Sequence, residues 1–84
     1  KHAEAVERIA QKHDLSAEAL QGFIDHILNR YIFDADALTE LFAPLGLGWK
    51  ARAKKELALM EDLTPLLQRL AGGHEISGLE VYDA

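Results

Sequence analysis

The chain has no cysteine, only two prolines, and one tryptophan and one methionine in 84 residues. The absence of cysteine excludes disulfides, thiol catalysis and thiolate zinc sites. No apolar run approaches the roughly 18 residues of a membrane span, and no segment has the layout of a signal peptide, so a soluble cytoplasmic protein without membrane contact is expected. Basic charge is in deficit, with 9 Lys and Arg against 14 Asp and Glu and a formal net charge of −5. That sign disfavours wholesale binding along a phosphate backbone and leaves room only for a local basic patch. Phosphate-binding loops, nucleophile elbows and dinucleotide fingerprints are missing too, since Gly46-Leu47-Gly48 is too short for any of them. The chain by itself is expected not to be an enzyme, to hold no cofactor and to bind no metal.

Helical periodicity fills most of the chain, and no useful run alternates like a strand. The length allows one domain, residues 1–84, near the lower limit for a self-sufficient core. The direct start at Lys1 into helical pattern fits a piece of a longer protein. A first helix is predicted from about Ala3 to His13, weakly apolar through Val6, Ile9 and Ala10. Ser16 is the predicted N-cap of a second, whose stripe Leu20, Phe23, Ile24, Ile27, Leu28, Tyr31 and Ile32 is the cleanest in the chain. Gly22 within it either admits a close neighbour or is tolerated at a cost. Asp34 caps a third helix bearing Leu38, Leu41 and Phe42, which Pro44 ends. Trp49 opens a fourth with the stripe Trp49, Ala53, Leu57, Met60 and Leu63. Thr64-Pro65 suggests a capped restart, although one kinked helix fits as well. Gly72-Gly73 is a stop, and Ile76, Leu79 and Tyr82 form a short apolar tail. The prediction is an all-α bundle of four to five helices.

Few residues suggest chemistry. His2, His13, His26 and His74 lack the spacing of a helical zinc site and are expected at the surface or partly packed, with His26 beside the second stripe. Asp34 and Asp36 have no third acid or lysine nearby, so capping and helix-dipole roles account for them. Lys50, Arg52, Lys54 and Lys55 are the one concentrated basic run and the candidate DNA contacts. On a helix they spread around the circumference, and no interleaved aromatics support base stacking. Glu56 falls within about 20° of the Trp49 direction, amid the apolar stripe. It needs a partner, with Arg52 one turn earlier the first candidate and the Trp49 indole the second. The pair is either structural or turned to an interface.

Taken jointly, Tyr31-Ile32-Phe33-Asp34, Leu38, Leu41 and the run from Pro44 to Arg52 resemble the extreme C-terminus of type I restriction enzyme R subunits. So do Glu56 to Leu63, Pro65-Leu66-Leu67, Leu70-Ala71, Gly73, and Glu75 to Leu79 with Tyr82. The chain departs from that pattern at Ala35-Asp36, where the family often has Gly-Glu, and at His74, where Arg is common. The resemblance implies a parent that is an ATP- and Mg2+-dependent DNA translocase and endonuclease, working with methyltransferase and specificity subunits. No catalytic position of that parent has a counterpart here. It also implies an assembly role, docking the motor to the methyltransferase core or bracing other domains of the R subunit. The expected contact residues are Trp49, Arg52, Glu56, Ile76, Leu79 and Tyr82, although sealing of this bundle's own core is the stronger expectation for Ile76 and Leu79 and an equal one for Tyr82. Auxiliary DNA contact through the basic run is the alternative, and an intramolecular brace a third.

Overall fold

Short polar residues set the helix starts. The Ser16 hydroxyl accepts from the Ala19 N–H at 3.0 Å and opens α2, Ala17–Arg30. The Asp34 carboxylate accepts from the N–H groups of Asp36 and Ala37 and opens α3, Ala35–Phe42. Each cap satisfies backbone donors that the first turn leaves unpaired. The computed structural model describes residues 2–82, beginning with α1, His2–Lys12. After α3 a 3-10 turn, Ala43–Leu45, leads into α4, Trp49–Ala71, and the chain closes on a second 3-10 turn, Leu79–Tyr82. The fold is all-helical, with four α-helices and no strand among the described residues.

One element differs from the sequence-based expectation, and two open alternatives are decided. α2 stops at Arg30, because Tyr31 takes a left-handed conformation (φ 57°) as its C-cap. Ile32 therefore leaves the stripe and is half exposed. α4 runs unbroken through Pro65, so there is no restart, and the buried Thr64 hydroxyl has no hydrogen-bond partner among the described residues. A proline inside a helix costs about 3 kcal/mol. Leu63, Leu66 and Leu67, all buried around it, each return roughly 1.5–3 kcal/mol by leaving water, which keeps the helix whole. Gly72 ends it in the left-handed conformation that glycine adopts without steric cost.

The tail is a short turn anchored on the bundle, as its apolar spacing allowed. Phe33 N–H donates to the Ser77 carbonyl at 2.8 Å and Ser77 N–H to that of Tyr31 at 2.9 Å. These bonds form a single parallel bridge between the α2–α3 connection and the tail. Ile76 and Leu79 thereby enter the same core as Leu20, Ile24, Ile27, Leu38, Phe42 and the second half of α4. Phe33 then bridges two rings edge-on, Phe23 at 6.4 Å and Tyr82 at 5.3 Å between centroids.

Candidate functional site

The second half of α4 is buried and the first is not. Leu59, Met60, Leu63 and Leu67 are fully buried, whereas Trp49 is 69% and Leu57 60% exposed. At about 100° per residue, Trp49 points in the same direction as Leu67 and within about 20° of Met60, and Ala53 lines up with Met60 and Ala71 in the same way. The exposed stripe therefore starts in line with the core-facing side of the helix at Trp49 and drifts to about 80° from it at Leu57. The expectation that Trp49, Ala53 and Leu57 pack in the core is corrected: in these turns Arg52 and Glu56 occupy the side turned to the bundle. A 23-residue helix is ~34 Å long, while the 8 to 14 residues of the others reach only ~12–21 Å. In the first turns of α4 the bundle is met by Arg52, Lys55 and Glu56, and the apolar stripe beside them stays open.

Along those turns the basic run is divided. Arg52 Nε lies 3.4 Å from Glu56 Oε2, the predicted i, i+4 pair, while the Trp49 indole takes no part in it. Glu56 faces the tail, and its charge joins burial, the larger cause, in raising the Tyr82 phenol above its ordinary value of 10.0. Lys55 reaches across to Asp14 at 3.2 Å, and Lys50 stands over the Trp49 ring at 5.4 Å. Lys54 is exposed and forms no ion pair among the described residues. An open apolar groove of about 480 Å³, lined by His13, Ala51, Lys54, Lys55 and Ala58, runs along the neighbouring side of α4.

Of the expected contact residues, Ile76 and Leu79 are only 5% and 3% exposed and belong to this domain's core. Tyr82 is half-buried against Phe33. Trp49 alone stands fully open, with Arg52 and Glu56 beside it at the edge of the bundle.

Other polar contacts join elements far apart in the chain. His13 is buried, not at the surface, and its Nε2 donates to Asp62 Oδ2 at 2.7 Å, tying the end of α1 to α4. Lys12 adds a 3.0 Å ion pair to the same oxygen. The His13 bond first, and Lys12 second, hold the Asp62 carboxyl below its ordinary 3.8. His26 bonds the cap Asp34 at 2.9 Å, which together with the backbone donors lowers that carboxyl as well. His74 stacks on Tyr31 with centroids 4.5 Å apart. The periodicity carried no signal for these pairs, which depend on which helices become neighbours. No group of three or more His, Asp or Glu among the described residues is placed to hold a metal ion, and no described helix is long and apolar enough to cross a membrane.

Fold and surface together define a small all-helical domain whose longest helix leaves an apolar stripe exposed along its first turns. A family model described as the C-terminal region of subunit R of type I restriction and modification enzymes matches residues 1–70. The chain belongs to that family. No curated protein and no solved structure matches it.

Proposed function

We propose that this domain is an assembly element, docking the motor-bearing R subunit onto the methyltransferase and specificity subunits of a type I restriction complex. The observation that carries the reading is the exposed apolar stripe Trp49, Ala53 and Leu57 on the first turns of α4. Leaving a tryptophan mostly in water forgoes the burial that aromatic side chains otherwise supply, and exposed aromatics are over-represented among the residues that anchor interfaces. Membership of the R subunit family supports the multisubunit setting; a cytoplasmic location and a parent that cleaves DNA using ATP and Mg2+ belong to the same proposal.

Direct DNA contact through the basic run has less support. Arg52 and Lys55 already serve Glu56 and Asp14, and phosphate binding would have to compete with those pairs. The docking reading is tested by size-exclusion with light scattering on this chain, mixed with its cognate methyltransferase–specificity core at low and high salt, with nonspecific duplex present. Co-elution with the core that survives high salt is expected. A salt-sensitive shift with duplex and none with the core would replace docking by DNA contact. No association with either would leave a brace within the R subunit.

A further inference from the structure

The first turns of α4 point to the chemistry of their occupant. Trp49, Ala53 and Leu57 recur at i, i+4 and i+8, a ridge about one helix wide. Lys50 and Lys54 stand next to it, both exposed. Around the helix they fall roughly 20–60° beyond Leu57, so they rim the apolar ridge on one side. On the other side lies the Arg52–Glu56 pair, already matched in charge. Between residues 50 and 55 every charged side chain is cationic, in a chain whose formal net charge is −5.

A narrow apolar ridge suits another helix, whose side chains interlock with it, better than a flat sheet face. Lysines on one rim favour carboxylates opposite them, and the matched pair on the other rim adds no second demand. From this geometry we infer that the exposed stripe of α4 receives an acidic amphipathic helix of the methyltransferase core. Apolar side chains of that helix cover Trp49, Ala53 and Leu57, and its Asp or Glu residues lie along Lys50 and Lys54. The inference rests on the docking reading and adds the chemical character of the surface being docked.

The test uses the intact R subunit carrying a photo-cross-linking amino acid at position 57, assembled with its cognate core, alongside Trp49→Ala and the double variant Lys50→Glu/Lys54→Glu. Because these side chains are exposed, the melting temperature and helical circular dichroism of the 84-residue chain are expected to stay unchanged in each variant. Trp49→Ala is expected to weaken assembly roughly thirtyfold, as for a central aromatic anchor. The charge reversal is expected to weaken it about tenfold and to flatten its salt dependence. The cross-link is expected in a methyltransferase peptide with acidic residues at helical spacing. A cross-link to a neutral or basic segment of the core, with the charge reversal silent, overturns the acidic helix and leaves docking standing. Cross-links confined to the R subunit or to DNA, with Trp49→Ala assembling normally, overturn both.

Discussion

Asp62 serves two groups at once, the buried His13 ring and the exposed Lys12 ammonium, through one carboxylate oxygen. A carboxylate can only accept, so His13 Nε2 carries the proton of that bond. Losing the acceptor would leave a buried ring nitrogen without its partner. Asp62→Ala is therefore expected to cost about 1–2 kcal/mol at neutral pH, read as a lower midpoint in urea. Asp34 makes the matching contact at the start of α3, with His26 and two backbone N–H groups. Both carboxyls are held below their ordinary 3.8 when folded. Near and below that value the unfolded chain binds more protons than the folded one, so stability rises with pH through this window. Their contribution is complete above it and is lost as acid reaches the lowered folded values. Melting temperatures between pH 7 and pH 2 are expected to show that acid loss, and Asp62→Asn to shrink it.

At the scale of elements, α2 has the strongest sequence pattern and one defect. Gly22 lies inside the helix, is exposed, and a Cβ added there would meet nothing within 4 Å. Of the two readings of that glycine, close approach by a neighbour is thereby removed. Gly22→Ala is expected to stabilise the domain by about 0.5–1 kcal/mol, seen as a higher thermal midpoint. Helix starts at Ser16 and Asp34, the stop at Gly72 and the apolar stripe from Leu20 to Leu28 were legible because each rests on local chemistry or a fixed period. The Arg52–Glu56 pair was legible for the same reason, being one turn apart. What a period cannot state is which part of a broad stripe the neighbours cover. Trp49 and Leu57 were therefore expected inside and lie outside, while Arg52 and Glu56 beside them face the bundle. Nor can it state which helices meet, so His13 with Asp62 and Ile32 with Ser77, far apart in sequence, became visible only in the fold.

At the scale of the molecule, a small domain draws its last increments of burial from the tail. Leu79 is 3% exposed in the shared core. Leu79→Ala is expected to cost about 2–5 kcal/mol, checked by chemical denaturation. For a domain of this size that is a large share of the total stability. The matched family region ends at residue 70, so the tail that completes the core lies beyond it. The bridge from Ser77 back to Tyr31 and Phe33 also has a meaning in time. A ribosome makes α1 through α3 well before it reaches Leu79, and until then those helices have no lid. Closure of this core waits for Ile76 and Leu79 to be made, and a product that stops before them emerges with its apolar interior open to chaperones and proteases.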